Sequence, residues 1–227
     1  MNAWFITATD TDAGKTFVTE GLLRAFSRAG YNSLGFKPVA SGCELTEQGL
    51  RNEDALRLMA ASSVKIAYEQ VNPYAFEPAI APHLAAEKSG KSIHLEQIVN
   101  NVRENSIKSD IVLVEGVGGW LVPLNATQTI ADLAQQLGYP VILVVNMRLG
   151  CINHALLTVQ SIAQSGLKLA GWIANTGSSV QTMAYLEENI VSLTQCINAP
   201  LLTVLPGLTL SDDKYNRHFT QIIHSLM

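Results

Sequence analysis

The sequence predicts an α/β protein, a single-domain, doubly wound, mostly parallel sheet with helices on both faces. Three observations carry that reading. Short runs of Val, Ile and Leu recur without strict polar alternation, as at 141–145, which marks strands covered on both sides. Longer amphipathic stretches separate these runs, and strand–helix–strand order brings right-handed crossovers and parallel pairing. Hydrophobic residues make up 48% of the 227 positions and charged ones only 15%, against about 25% charged in an ordinary globular chain. A large core can form, and disorder is excluded.

Taken in order, the expected strands are 3–7, 33–36, 111–114, 141–145, 170–174 and 201–204. Helical periodicity covers 15–29, 52–61, 95–105, 130–137, 153–164 and 181–194. No composition break and no repeat of fixed period divides the chain, so residues 1–227 read as one domain. The least regular stretch is 62–92, where Pro73, Pro78 and Pro82 each disfavour helix at the preceding residue. An insertion of this length is either a lid or binding loop, or a surface excursion.

A formal net charge of -4 provides no basic field for nucleic acid or an anionic membrane. The longest aliphatic run, 141–145, falls far short of the roughly 18 residues that span a bilayer. The first ten residues lack the basic and apolar regions of a secretory signal. Cys43, Cys151 and Cys196 are odd in number and far apart, as expected of reduced thiols. The expectation is a cytoplasmic protein with neither nucleic acid nor membrane as partner.

The strongest local signal is the segment 6–16, ending Asp12-Ala13-Gly14-Lys15-Thr16 and running into Phe17. It follows the first strand and opens the first helix, where backbone N–H groups and the positive end of the helix dipole bind phosphate oxygens. Lys15 would meet the β- and γ-phosphates, and the Thr16 hydroxyl could ligate Mg²⁺. The usual pattern has glycine five residues before Gly14, where this chain has Thr9. Alone, Gly-Lys-Thr also fits a helix start with a solvated lysine.

A second signal is the strand 111–114 followed by Glu115, Gly116, Val117, Gly118 and Gly119. Ligands of open parallel sheets bind beyond the carboxyl ends of the strands, so Glu115 shares a rim with Lys15, where a phosphate-bound Mg²⁺ needs oxygen ligands. A surface or helix-capping glutamate is the alternative. Asp54 stands in the first turn of its helix, which is favourable with or without a metal. Lys37, at the end of the second strand, aims at the same rim. Two lysines facing one site repel unless an anion lies between them. Cys151 and His154 open a later helix without an orienting partner, which disfavours covalent catalysis, while the free N–H groups after Gly150 make a second anion site.

Together these segments resemble dethiobiotin synthetase, a phosphate-loop ATP-dependent ligase family of biotin biosynthesis. The resemblance rests on Thr9-Asp10-Thr11 before Gly14-Lys15-Thr16, on residues 35–42, 50–55 and 71–74, on Val114 to Trp120, and on Leu149 to Ala155, all in family order. Alanine stands at position 8, where the family usually has glycine. The resemblance implies a phosphate-loop NTPase-like fold and an enzyme with ATP as co-substrate and Mg²⁺ as cofactor. Its substrates would be 7,8-diaminononanoate and carbon dioxide or bicarbonate; its products, dethiobiotin, ADP and phosphate. One amine captures carbon dioxide as a carbamate, the carbamate attacks the γ-phosphate, and the second amine closes the ring on the mixed anhydride.

By the same resemblance Lys37, Lys15 and Thr11 are catalytic, and Thr16, Asp54 and Glu115 hold the metal. The loop from Asp12 to Phe17, with Gly116, Val117, Gly118 and Thr176, binds the nucleotide. Asn175 reads the adenine, unless Asn175-Thr176-Gly177 is simply a turn, with Leu205, Pro206 and Gly207 packed near the base. Ser41 touches the diamine or carbamate, and Gly150, Cys151 and Asn153 bind the diamine carboxylate across a homodimer interface. Two rivals are poorer fits. A glutamine-dependent ligase acting on a corrinoid needs a glutaminase domain for which there is no room. An ATP-driven partitioning switch places lysine early in the loop, where Asp10 stands.

Overall fold

The computed structural model describes residues 1–177, 183–207 and 213–227. The elements in order are β1 (Asn2–Ala8), α1 (Lys15–Arg28), β2 (Ser33–Phe36), β3 (Val39–Ser41), β4 (Glu44–Thr46), β5 (Gly49–Arg51), α2 (Glu53–Ala61), α3 (Tyr68–Val71) and β6 (Tyr74–Phe76). Then follow α4 (Pro82–Lys88), α5 (Leu95–Asn105), β7 (Ile111–Glu115), α6 (Ile130–Leu137), β8 (Val141–Asn146), α7 (Cys151–Gln164), β9 (Leu169–Asn175), α8 (Leu186–Cys196), β10 (Leu201–Leu205) and α9 (Asp213–Leu226).

Six strands form one sheet in the order β10-β9-β8-β1-β7-β2, all in parallel pairs. From β1 the chain moves out to β2, returns to β7, then crosses to β8, so the strand order reverses beside β1. Clefts for ligands form at such a point. Alternate side chains of each strand go to opposite faces. Trp4, Ile6 and Ala8 pack with α1, α2 and α9, whereas Phe5 faces α5 and α6. Leu143 and Val145 lie against α7 and α8. Coverage on both faces is why the strands read as continuous apolar runs.

Helix ends follow local chemistry. Thr129 accepts from the Asp132 N–H while Asp132 accepts from the Thr129 N–H, a reciprocal cap that starts α6. Asn52 caps α2 by accepting from Ala55. The expected helix 181–194 begins later, at Leu186; residues 181 and 182 lie outside the described residues. The irregular stretch 62–92 holds α3, β6 and α4, and β6 pairs in parallel with β3.

The largest element not foreseen is α9. Its Tyr215, Phe219, Ile222 and Ile223 are all buried, spaced to lie on one helical face. Full burial of each contributes on the order of 1.5–3 kcal/mol. Phe17 meets Tyr215 edge-on at 5.2 Å, tying the first helix to the last. Among the described residues no helix is long and apolar enough to cross a membrane.

Candidate active site

The carboxyl ends of β1, β2 and β7 converge on a cavity of about 740 Å³. Gly14 adopts φ 92°, ψ 24° as α1 begins, a left-handed conformation open to glycine at little cost. A Cβ there would also collide with the Asn175 side-chain amide. That amide is bonded to backbone on both sides: Nδ2 donates to the Ala13 carbonyl at 2.8 Å, and Oδ1 accepts from Gly177 N at 3.2 Å. Asn175 therefore links the end of β9 to the phosphate loop. Its neighbour Thr176 donates both N–H and Oγ1–H to the Leu205 carbonyl, joining the ends of β9 and β10. The Leu205 side chain is buried, while Pro206 and Gly207 are exposed. Asn175, Thr176, Leu205, Pro206 and Gly207 lie outside the cavity lining.

Lys15 folds back over its own loop, donating to the carbonyls of Asp10 (3.2 Å) and Gly118 (2.7 Å). Burial, reinforced by the Lys37 charge, lowers its pKa to about 8. Lys37 is only 3% exposed. It donates to Glu115 Oε1 at 2.6 Å and to Asp54 Oδ2 at 2.8 Å. Burial alone would lower the Lys37 pKa, but the Glu115 and Asp54 carboxylates outweigh it and raise the value. For Asp54, burial pushes upward and is outweighed by the charge and hydrogen bond of Lys37, with Thr16 and Arg57 assisting, so its pKa is lowered. The anion expected between the two lysines is thus supplied in part by the protein itself, through two carboxylates.

Glu115 does not emerge on the rim as anticipated; it is fully buried beneath the loop. Thr16 Oγ1 donates to its Oε1 at 2.8 Å, and its Oε2 has no partner. The three oxygen-bearing side chains proposed for a metal, Thr16, Asp54 and Glu115, therefore share one cationic neighbourhood. An unpartnered buried carboxylate oxygen there suits a hard cation. Among the described residues no cluster of three His, Cys, Asp or Glu side chains forms a self-sufficient cage. The donor set fits Mg²⁺, which is bound through one or two carboxylates with substrate phosphates and water supplying the rest.

Thr11, Asp12, Phe17, Ser41, Val117 and Gly118 also line the cavity, and the Ser41 hydroxyl has no hydrogen-bond partner. Ala13 is buried, presenting only its carbonyl to Asn175, and Gly116 O lies 3.5 Å from Lys37 Nζ. The apolar part of the lining comes from Ala40, Ala79, Ile80, Pro82 and Val122. Ala79, Ile80 and Pro82 come from the irregular stretch 62–92, whose place at the site the sequence left open between loop and excursion. Arg57 lines the cavity too and was not singled out; its position three residues after Asp54 was the available signal.

The Gly150 helix start stands apart from this cavity. Gly150 has φ 93°, and Leu149 before it is 92% exposed. The Cys151 side chain is buried and its N–H donates to the Arg148 carbonyl. The Cys151 thiol thus faces inward, while Asn153 at the same helix start is exposed.

The sheet topology, the loop and the buried lysines define a phosphate-loop nucleotide-binding protein of the doubly wound α/β class. The MinD septum-site protein of Pyrococcus horikoshii, solved with Mg-ADP, shares the fold, with a TM-score of 0.63 and 17% identity over 97% of this chain and 93% of that one. A family model described as AAA domain matches residues 2–214. The ATP-dependent dethiobiotin synthetase BioD of Cellvibrio japonicus is 56% identical over 92% of this chain and 91% of its own length. The protein of the same description from Pseudomonas paraeruginosa is 52% identical over the same shares. In Chromohalobacter salexigens the figure is 46%, over 96% and 95%. The chain belongs to the ATP-dependent dethiobiotin synthetase family.

Proposed function

We propose that this chain, acting as one unit, converts 7,8-diaminononanoate, carbon dioxide and ATP into dethiobiotin, ADP and phosphate. One observation carries the reading: two buried ammonium groups, Lys15 and Lys37, line a cavity together with the apolar Ala40, Ala79, Ile80, Pro82 and Val122, and its lining among the described residues contains no Cys or His. Such a site can position an aliphatic diamine against a triphosphate and neutralise developing negative charge, without a covalent nucleophile. One amine nitrogen bonds to carbon dioxide and loses a proton, leaving a carbamate. A carbamate oxygen takes the γ-phosphoryl group as the bond to ADP breaks. The second amine then attacks the carbamoyl carbon, phosphate leaves with the C–O bond, and a proton is lost as the ring closes.

Lys37 is assigned to the carbamate and the transferring phosphoryl group, and Lys15 to the phosphates. Thr11 and Ser41 are assigned to the carbamate or diamine through their hydroxyls at the cavity wall. Thr16, Asp54 and Glu115 would hold Mg²⁺, which when bound neutralises phosphate charge. Leu149, Leu157 and Val191 leave an exposed apolar surface on and beside α7, which supports a homodimer with the partner presenting the Asn153 helix start to the diamine carboxylate. Three free thiols suit a reducing cytoplasm.

The test is ADP release from ATP and Mg²⁺, with and without diamine and bicarbonate. Turnover that strictly needs the diamine, with dethiobiotin appearing in equal amount, supports the ligase. Hydrolysis indifferent to the diamine rejects it.

A further inference from the structure

One buried carboxylate has no part in the chemistry above. Glu20, on α1, is 2% exposed and both of its oxygens are taken by arginines. Oε1 accepts from Arg24 Nε (3.0 Å) and Nη2 (2.8 Å). Oε2 accepts from Arg57 Nε at 2.9 Å, with Arg57 Nη2 at 2.8 Å. Arg24 is on the same helix, four residues on, whereas Arg57 reaches across from α2. The placement is regular. Glu20 lies four residues after Thr16 on α1, and Arg57 three residues after Asp54 on α2, so each falls on the same face as its predecessor, one turn further along. The ion pair therefore joins the two helices one turn below the point where they present Thr16 and Asp54 towards Glu115.

We infer that Glu20 and Arg57 are positioning residues, a cross-helix clamp that sets where Asp54 stands relative to Thr16 and Glu115 and so tunes affinity for the metal–nucleotide. The inference rests on the proposed metal set. A magnesium ion tolerates little departure from octahedral geometry at short metal–oxygen distances, and Asp54 is the one carboxylate of the set carried by a helix instead of the central sheet. It is also the more exposed of the two, its side chain 37% accessible against 0% for Glu115. Apolar packing, as at Leu58, holds α2 against the sheet without fixing its slide along α1. A charged hydrogen bond from Arg57 Nε to Glu20 Oε2, with Nη2 at 2.8 Å from the same oxygen, restricts that slide. Glu20 gains its own justification from this role, since a carboxylate so deeply buried is costly unless both oxygens are satisfied.

The experiment compares Arg57→Met, Arg57→Lys, Arg24→Met and Asp54→Asn in the full chain. Binding of Mn²⁺ in the presence of ADP is followed by paramagnetic resonance, and turnover is followed against Mg²⁺ concentration. Thermal melts confirm that each variant is folded. Arg57→Met should weaken metal binding about 10-fold or more, the scale for groups that orient metal ligands. Because Arg57 also lines the cavity, turnover at saturating Mg²⁺ should fall as well, but by less than the metal affinity does. Arg57→Lys should recover part of the affinity. Arg24→Met removes a partner of the same carboxylate without loosening α2, so its metal titration should stay within about twofold of wild type. Unchanged metal binding in Arg57→Met, alongside weakened binding in Asp54→Asn, overturns the clamp alone. Equal shifts in the Arg24 and Arg57 variants overturn it as well, because they report a general loosening. If Asp54→Asn itself leaves metal binding unchanged, the metal set fails and the clamp falls with it.

Discussion

Two helices of this protein begin alike and end in opposite surroundings. α1 follows β1 and α7 follows β8, each through a glycine in the left-handed region, φ 92° at Gly14 and φ 93° at Gly150. At Gly14 a Cβ would strike the Asn175 amide, and the next residue, Lys15, is 6% exposed. At Gly150 a Cβ would meet nothing within 4 Å. Both starts leave backbone N–H groups unpaired, although the Cys151 N–H is taken by the Arg148 carbonyl, and the larger difference lies in what surrounds them. The first site is finished by the strand ends of its own chain. The second faces outward, which is the arrangement a twofold mate can complete.

The sharpest way to break this contrast is at the finished site. We expect Lys37→Gln to lower kcat by about 10²–10³-fold, because its charge matters most where negative charge develops. Nucleotide should still bind in calorimetric titration. The melting temperature should also fall, since losing one partner of a buried ion pair costs about 3–5 kcal/mol; near-normal turnover at saturating substrates would end the assignment. Next comes Gly14→Ala, expected to weaken ATP binding by at least about 10-fold. The left-handed backbone costs roughly 1–2 kcal/mol, and the Asn175 contact is lost in addition. The same titration checks it.

Replacing Asp54 by Asn should weaken apparent Mg²⁺ affinity about 10-fold and be partly rescued by excess Mg²⁺. A defect that is flat across the Mg²⁺ titration would argue against metal ligation. At the open site, inactive Lys37→Gln dimers mixed with Asn153→Trp dimers should regain about a quarter of wild-type activity if each site draws on both protomers. No recovery with heterodimers confirmed, or an active monomer in sedimentation, breaks the shared-site half of the comparison. The smallest effect sharpens it: Gly150→Ala has similar backbone strain, about 1–2 kcal/mol, yet should leave ATP affinity within about twofold.

What the sequence made legible follows from what each signal depends on. The six central strands were readable because burial on both faces leaves an unbroken apolar run, and β2 was expected at its observed bounds, Ser33–Phe36. The phosphate loop was readable because its function fixes residue types at fixed spacing. Glu115 was located correctly in the chain and wrongly in depth, since a strand-end carboxylate reads the same whether it is capped by solvent or by Lys37. α9 escaped despite its regular spacing of Tyr215, Phe219, Ile222 and Ile223, because polar residues between them dilute the apolar signal. α3, β6 and α4 were hidden by prolines that mark turns without saying what lies between them. Arg57 and Glu20 could not be paired from sequence, as 37 positions separate them.

The central position of β1 also bears on how this chain can be made. Its hydrogen-bonding neighbours are β7 and β8, so Asn2 pairs with Ile111, and Phe5 with Val141. During synthesis β1 must therefore wait for more than a hundred later residues, roughly 5–20 s at ordinary rates of elongation. During that interval Trp4, Phe5 and Ile6 have no sheet to join, and the helix carrying Lys15 lacks α9 against its outer face until Asp213–Leu226 have been made. Pairing over such separations is slow and leaves apolar edges open to other chains. The strand order that places the phosphate loop at the middle of the sheet thus leaves the loop's own strand unpaired until both of its neighbours have been made.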